Sequence, residues 1–414
     1  MKEILTEILK ELKAEFIRLG KMAVAYATPA RMIRFMSYVL TASVAVLVTL
    51  TSLMPQIQSI PVGDSKLSEL MALIDQRYVD DVDLSRLEDV GANAIIGALG
   101  DRWSFYISAE DMAEYNEKKN NSYVGIGVTI TQNADKSGLN VQEVTPGGSA
   151  EAAGVKVGDT IIAVSGKSIA GMELNAIGDL IRGEVNTELS LTLKRGEEEL
   201  TVSVKRQKIK IPVAVATLLE GNIGLVQIKN FNANSASETI AAVKSLREQG
   251  AEKLIFDVRN NGGGYAEEMV NILDYLLPAG DLFRTVDYEG KETVETSDAS
   301  CLDIPMAVLV NGRSYSAAEF FAAALSEYDA ATVVGEQTSG KGYFQVTFEL
   351  SDGSAVALSI GKYFTPKGNS LEGIGITPNV VVPVDEKTAA AIYAGTLDPM
   401  EDPQILRAIQ AFGE

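Results

Sequence analysis

A predicted strand, a turn of small residues and an alanine-rich helix follow one another around residue 316. The apolar run 305–310 predicts a buried strand, and the run 316–325 predicts a helix. Ser316 falls where that helix begins, at a point where backbone N–H groups are unpaired and the helix dipole favours negative charge. A serine placed there can act as a nucleophile, with the N–H of Ala317 available to an oxyanion. Ser314, on the same turn, remains a rival nucleophile.

A purely structural role for Ser316 stays open. The sequence Ser316-Ala-Ala-Glu319 is also that of a capping box, in which a serine and a glutamate satisfy N–H groups at a helix start.

The base for such a serine has to be something other than histidine, because the chain contains none. It also has a single cysteine, Cys301, so Ser-His-Asp and Cys-His catalysis, His-ligated metals and an internal disulfide are all excluded. Lysine is the documented alternative base. Lys341 is the candidate, because burial among its glycine and aromatic neighbours would lower its pKa. Gln345 lies on the same face of an extended segment and can orient the amine; a surface lysine in a glycine turn is the alternative.

Two glycine-rich segments suggest anion binding. Residues 259–264 follow a predicted strand, and their glycines allow N–H groups to converge, so Gly263 or Gly264 can supply a second oxyanion donor. Residues 335–341 match the first seven positions of the phosphate-loop pattern, but Gly342 stands where Ser or Thr would hold Mg²⁺. We therefore expect no nucleotide, metal or other cofactor.

A third glycine-bracketed loop, formed by Gly125, Ile126 and Gly127, leads into a predicted strand edge. Such a loop can bind a peptide C-terminal carboxylate while the strand pairs with the peptide backbone. The predicted helix 173–181 would form the facing wall, offering Ile177 and Leu180 to an apolar tail. A plain β-turn is the alternative.

The charge is unevenly distributed along the chain. The net charge is −20, yet residues 1–34 carry seven basic and four acidic side chains. No charged residue lies between Arg34 and Asp64, and the apolar run 35–54 has about the length that crosses a bilayer. The positive N-terminal flank predicts a cytoplasmic N-terminus and export of the remainder, with a cleaved signal peptide as the alternative. The acidic remainder argues against nucleic-acid binding.

Taken together, these segments resemble the carboxyl-terminal processing peptidases, which are tail-specific serine endopeptidases with an embedded PDZ domain. Residues 123–128 and 154–162 look like PDZ signatures, and residues 259–264 resemble the family's Arg-Asn-Asn-Pro-Gly-Gly turn with Gly262 in place of proline. Ser316-x-x-Glu319 and residues 340–345 resemble its catalytic blocks; residues 365–368 and 373–378 resemble its closing motifs, with Asn379 where aspartate is usual. By position the resemblance implies Ser316 as nucleophile, Lys341 as base and Gln345 as the orienting residue.

The predicted fold class is mixed α/β and β. It combines the crotonase-like (ClpP/crotonase) α/β protease core that the resemblance implies with an inserted PDZ domain, an N-terminal helical segment and a single transmembrane helix. The predicted organisation is a cytoplasmic amphipathic segment (1–34), a transmembrane anchor (35–54), a linker (55–64), a helical N-terminal part of the protease (65–121), the PDZ domain (122–208), the protease core (209–385) and a C-terminal helical segment (386–414).

The predicted function is a membrane-anchored serine endopeptidase that binds C-terminal tails of exported proteins through its PDZ domain and cleaves them. Arg182, at the end of the PDZ helix, is a candidate reporter of peptide occupancy, with a plain surface arginine as the alternative. The predicted partners are protein tails and the lipid bilayer, through residues 35–54, and a homo-oligomer stays open. The predicted location is the cell membrane, single-pass, with the catalytic domain outside the cytoplasm. The alternative function is an inactive, membrane-tethered PDZ scaffold.

Overall fold

The computed structural model of the protein describes residues 65–413. The chain divides into two compact units, residues 1–87 and 88–414. The described part of the first unit contains helix α1 (Lys66–Arg77), which begins at Ser65, where the hydroxyl accepts a hydrogen bond from the Ser68 N–H. Helix α2 (Leu84–Gly97) follows, and the second unit begins within it.

The second unit opens with a short strand and a helix that later form part of the cleft. These are β1 (Phe105–Ile107) and α3 (Met112–Lys119). An antiparallel β-domain follows, with elements β2 (Ser122–Gly125), β3 (Val128–Gln132), β4 (Leu139–Val144), α4 (Ser149–Ala152), β5 (Thr160–Val164), β6 (Lys167–Ser168), α5 (Leu174–Ile181), β7 (Glu188–Arg195), β8 (Glu198–Lys205) and β9 (Gln207–Lys210).

The β-domain contains one sheet in the order β3-β4-β5-β7-β8, with β6 on β5, and a separate β2–β9 pair. Its core is closed by α5, because Ile177 is wholly buried together with Leu191 and Leu193 of β7. Alternation of buried and exposed residues along β7 explains why this strand forms one face of a half-buried sheet.

The remainder of the chain alternates strands and helices before an antiparallel hairpin and two C-terminal helices. Its elements are β10 (Ala214–Leu219), β11 (Ile223–Ile228), α6 (Ser235–Glu248), β12 (Lys253–Asp257), α7 (Ala266–Leu276), β13 (Gly280–Asp287), β14 (Glu292–Ser297), β15 (Met306–Val310), α8 (Ala317–Glu327), β16 (Ala331–Gly335), β17 (Tyr343–Glu349), β18 (Ala355–Phe364), β19 (Val380–Val381), α9 (Glu386–Ala394), a 3₁₀ turn (Pro399–Glu401) and α10 (Pro403–Ala411).

Two sheets organise this region. A six-stranded sheet runs β10-β11-β12-β15-β16-β19, with β10 antiparallel and the remaining neighbours parallel. Phe256 of β12 packs on one face with α7 and α8, while Ile255 packs on the other with α10. An antiparallel sheet runs β1-β18-β13-β14, with β17 also on β18.

The predicted crotonase-like fold class is wrong as stated. Of the four sheets that residues 65–413 form, only the sheet β10-β11-β12-β15-β16-β19 contains parallel pairs, and the other three are antiparallel throughout. The observed class is a mixed α/β fold with a separate antiparallel β-domain where the PDZ domain was predicted. The reason is that strands β13, β14, β17 and β18, together with β1, add an antiparallel sheet beside the parallel one.

The predicted single-pass topology is also corrected. Within residues 65–413 there is no helix with the length and apolar character that a bilayer crossing requires. The segment 35–54, on which the transmembrane helix and the membrane location depended, lies outside the described residues. The amphipathic segment 1–34 and the linker 55–64 lie outside them as well.

Candidate active site

The turn between β15 and α8 is held by Ser314. Its hydroxyl donates to the Val258 carbonyl at 2.7 Å and accepts from the Asn311 N–H at 3.0 Å. The side chain is fully buried. Ser314 therefore stabilises the turn through its hydroxyl, and Ser316 is the serine of this turn that lines the neighbouring cleft.

Ser316 has an unusual backbone conformation, with φ 58° and ψ −129°. A positive φ is disfavoured for a residue with a Cβ and is found at sites where the surrounding structure enforces it. The enforcing contact here is the expected capping box with Glu319, in which the Ser316 N–H donates to Glu319 Oε2 at 2.9 Å. Helix capping and presentation of the hydroxyl at the cleft thus occur in the same residue.

Glu319 is completely buried and joins the two candidate catalytic segments. Besides Ser316, it accepts hydrogen bonds from the Thr338 hydroxyl at 2.5 Å and from the N–H groups of Gly340 at 2.7 Å and Lys341 at 2.8 Å. Burial raises the pKa of this carboxyl, while its four donors act in the opposite direction. One carboxylate therefore fixes the backbone of Ser316 relative to that of Lys341.

Lys341 lies half-buried beneath aromatic rings. Its Nζ is 4.9 Å from the ring centroid of Trp103 and 6.0 Å from that of Tyr315, and these two rings stack on each other. Burial, followed by the positive charge of Lys119, lowers the pKa of Lys341 from 10.5 to about 8. A lysine with such a pKa is partly neutral near physiological pH, as a general base must be.

The three predicted catalytic residues line one cleft of about 680 Å³, which Gly263 and Gly264 line as well. Within the described part of the chain, however, no hydrogen bond joins Lys341 Nζ to Ser316 Oγ or to Gln345. The Gln345 amide donates instead to the Ser359 hydroxyl at 2.9 Å and the Tyr343 carbonyl at 3.2 Å. The geometry therefore brings the residues together without aligning the proton-transfer step.

The two candidate oxyanion glycines differ in their hydrogen bonding. The Gly263 N–H donates to Asn261 Oδ1 at 2.8 Å, so it is already occupied. The N–H groups of Gly264 and Ala317 have no hydrogen-bond partner among residues 65–413. Gly263 has φ +83°, and a Cβ built on it would lie 2.8 Å from Ser316 Cβ, so a side chain there would press on the nucleophile.

The departure from the family's proline at position 262 has a steric explanation. A Cβ on Gly262 would lie 2.6 Å from the hydroxyl oxygen of Tyr315. The tyrosine that stacks on Trp103 therefore occupies the space that a larger residue would need.

The predicted peptide-binding residues of the β-domain divide between loop and core. Ile126 and Ile177 belong to the hydrophobic core and Leu180 is half-buried against it. Gly127 has φ +79°, and its carbonyl accepts from the Thr145 N–H at 2.9 Å. In the described structure, the N–H groups of Ile126 and Gly127 make no hydrogen bond, as expected of a loop that could bind a carboxylate.

Comparison with known proteins identifies both domains. Residues 222–382 match peptidase family S41, and residues 116–194 match the PDZ domain. The carboxy-terminal processing protease CtpA of Bacillus subtilis (strain 168) is 34% identical over 357 residues, covering 84% of this chain and 76% of the relative. The chain belongs to peptidase family S41. The resemblance to the carboxyl-terminal processing peptidases is thereby confirmed.

A second relative supports the same assignment. A probable CtpA-like serine protease of Staphylococcus aureus (strain N315) is 33% identical over 323 residues, covering 77% of this chain. The chain spans 64% of that relative's length. The solved structure of a photosystem II D1 C-terminal processing protease is 29% identical, covers 78% of this chain and 89% of its own, and has a TM-score of 0.43.

Two side chains of the candidate site are not predicted from the sequence. Trp103 contacts Lys341 although it lies far earlier in the chain. The guanidinium of its neighbour Arg102 stacks on the Trp103 ring, with Cζ 4.1 Å from the ring centroid, and donates to the Gly340 carbonyl at 2.9 Å. Lys119 enters the cleft from the end of α3. The only sequence signal is the aromatic turn around the single tryptophan, and nothing local links it to residue 341.

Proposed function

We propose that the chain is a serine endopeptidase in which Ser316 is the nucleophile and Lys341 the general base. The observation that carries this proposal is a lysine whose pKa burial lowers to about 8, in the same cleft as a serine at a helix start. Neutral Lys341 takes the proton of the Ser316 hydroxyl as the oxygen attacks the peptide carbonyl carbon. The same amine then protonates the leaving nitrogen, and water hydrolyses the acyl-enzyme.

The N–H groups of Ala317 and Gly264 are the donors that we assign to the oxyanion. Neither N–H has a hydrogen-bond partner among the described residues. Ala317 directly follows Ser316 and Gly264 lines the same cleft, whereas the Gly263 N–H donates to Asn261 Oδ1. Two such donors stabilise charge that develops only in the transition state. Gln345 is the residue that we expect to orient Lys341 once the lysine leaves the Trp103 ring.

We further propose that the PDZ domain binds the C-terminal tails of protein substrates through Gly125, Ile126 and Gly127, with Ile177 and Leu180 on the facing helix. Free N–H groups in that loop support this assignment. Arg182 is the proposed reporter of occupancy. It lies exposed at the C-terminal end of α5 and forms an ion pair with Asp179, with Nη1 3.5 Å from Oδ1. Its charge also contributes to lowering the pKa of Glu114 on α3, after the larger effect of Lys118.

The test is cleavage of a protein with an apolar C-terminal tail by the wild-type chain, Ser316→Ala, Ser314→Ala and Lys341→Ala. We expect Ser316→Ala and Lys341→Ala to abolish cleavage while tail binding persists. Activity that survives Ser316→Ala but not Ser314→Ala would show that the nucleophile is misassigned.

A non-catalytic PDZ-containing binding protein is the second candidate function. The observation that favours it is the position of the Lys341 amine over Trp103, without a hydrogen bond to Ser316. The same experiment separates the two, because a binding protein would retain tail affinity and show no Ser316-dependent cleavage under any condition.

A further inference from the structure

Lys119 is a second cation in the cleft that contains Ser316 and Lys341. Its Nζ lies 5.7 Å from the ring centroid of Tyr115 and 5.1 Å from that of Tyr265. Burial lowers the pKa of its ammonium, and no carboxylate within residues 65–413 forms an ion pair with it. A partly buried charge without a partner is unfavourable unless a ligand supplies the counter-charge.

The surroundings hold this ammonium in place. The Tyr115 hydroxyl and the Thr347 hydroxyl are hydrogen-bonded at 2.9 Å, which fixes the first ring. The end of α3 is attached to the loop after β11, because the Lys119 carbonyl accepts from the Ala233 N–H at 3.1 Å. These two bonds restrain the backbone that carries Lys119 and one ring beside its ammonium, which reduces the conformational freedom lost when a ligand binds.

The charges around Lys119 favour an anion. The charged residues that line the cleft are Lys118, Lys119, Lys341 and Glu349. Lys118 is exposed and forms an ion pair with Glu114, with Nζ 2.6 Å from Oε1, so its charge already has a carboxylate partner. The cleft is therefore locally cationic in a chain of net charge −20.

The position of Lys119 relates it to the reacting bond. Tyr265, on which the ammonium rests, directly follows Gly264, one of the two proposed oxyanion donors. A substrate group paired with Lys119 would thus lie close to the scissile bond.

We propose that Lys119 binds a carboxylate of the substrate segment that lies in the cleft, and so makes the protease select an anionic group beside the cleaved bond. This inference rests on the proposed function and assigns part of its specificity. The carboxylate can come from an acidic side chain or from the C-terminus of a short tail.

The experiment uses peptides that differ only in Glu or Gln at each position flanking the cleaved bond, each with a free and an amidated C-terminus. We expect the wild type to favour one anionic form by roughly tenfold in kcat/KM, mainly through KM, as for a charge-assisted hydrogen bond. Lys119→Met should abolish the preference, and Lys119→Arg should retain it. The matched control is Lys118→Met, which removes the neighbouring paired lysine and should retain it as well.

The outcomes are distinct. A preference for a free C-terminus that is lost in Lys119→Met identifies the terminal carboxylate as the ligand, and a preference for Glu that is lost identifies an acidic side chain. Equal loss for Glu and Gln peptides in Lys119→Met would mean that the lysine acts only through the fold or through the pKa of Lys341, and would overturn the proposal.

A binding measurement keeps the proposal open to refutation if no peptide is cleaved. Affinities of the same peptides for Ser316→Ala and for Ser316→Ala/Lys119→Met can be compared by fluorescence anisotropy. A preference for anionic peptides that depends on Lys119 would support this inference. The absence of cleavage would count separately, against the proposed function. The absence of any such preference, with cleavage present or not, would overturn it.

Discussion

Lys341 is charged at neutral pH in a place that disfavours charge, so its replacement by methionine should stabilise the protein while abolishing activity. Burial and Lys119 lower its pKa from 10.5 to about 8. Since one pKa unit corresponds to about 1.4 kcal/mol, the charged form loses about 3 kcal/mol on folding. The contact with the Trp103 ring offsets about 1 kcal/mol of this. Lys341→Met should therefore raise the free energy of unfolding by about 2 kcal/mol at pH 7.

The stability that Lys341→Met gains over the wild type depends on pH. Below about pH 8 the lysine is charged in both folded and unfolded chains, so the unfavourable burial of charge is present in full. Between about pH 8 and 10.5 the folded lysine is neutral while the unfolded one still binds a proton, so the wild type gains stability as pH rises. The advantage of Lys341→Met should therefore shrink over that interval and vanish above it.

Trp103 provides the measurement, because it is the single tryptophan of the chain and lies 4.9 Å from Lys341 Nζ. Urea unfolding followed by its emission from pH 6.5 upward should give the stability difference, with Lys367→Met as a control at an exposed lysine of the same unit. In the folded wild type the emission itself should titrate with a midpoint near pH 8, and Lys341→Met should remove that transition.

Two results would refute this reasoning. The first is a Lys341→Met variant that is no more stable than the wild type at pH 7. The second is an emission that shows no Lys341-dependent change near pH 8. Either would mean that the ammonium is hydrated, and the proposal of Lys341 as base would lose its main support. The rate of cleavage should rise with pH through the same midpoint, because only the neutral amine accepts the Ser316 proton.

Three further predictions follow from the geometry. Gly263→Ala should lower kcat/KM by roughly 100-fold or more, because its Cβ would lie 2.8 Å from Ser316 Cβ and displace the oxyanion donors. Steady-state kinetics, with circular dichroism to check the fold, test this, and unchanged kinetics would contradict it. Arg259→Met should lower the free energy of unfolding by about 3–5 kcal/mol, since it leaves two buried aspartates without their counter-charge; a thermal melt matching the wild type would refute it. Arg182→Ala should reduce the stimulation of turnover by an added tail peptide, and a change in tail affinity alone would rule out its role as reporter.

Strands and helices that local pattern defines were predicted closely. The strand expected within residues 305–310 is β15 (Met306–Val310), and the helix expected to begin near Ser316 is α8 (Ala317–Glu327). The reason is that a fully buried apolar run and a small-residue turn leave few alternatives for either element. The family resemblance, rather than local pattern, predicted that Ser316, Lys341 and Gln345 act together, and these three residues line one cleft.

Features that depend on distant segments could not be predicted. Strands β13 and β14 are largely half-exposed and rich in charged and polar residues, and β13 is held by pairing with β18, far later in the chain. Apolar periodicity identified the α5 face that carries Ile177 and Leu180, but it cannot distinguish a residue in the core from one in a peptide groove. The position of Lys341 over Trp103 is likewise a long-range contact without a local signature.

Glu319 determines which part of the site can move. Its buried carboxylate accepts from the N–H of Ser316 and the N–H of Lys341, so separating either segment would leave it short of a donor at a cost of about 1–3 kcal/mol or more. Leaving the Trp103 ring requires only rotation of the Lys341 side chain and forfeits about 1 kcal/mol. Rotation of the Lys341 side chain therefore costs less free energy than separation of the two backbone segments. Productive alignment of base and nucleophile should therefore come from release of Lys341 by Trp103, with both backbone segments staying in place.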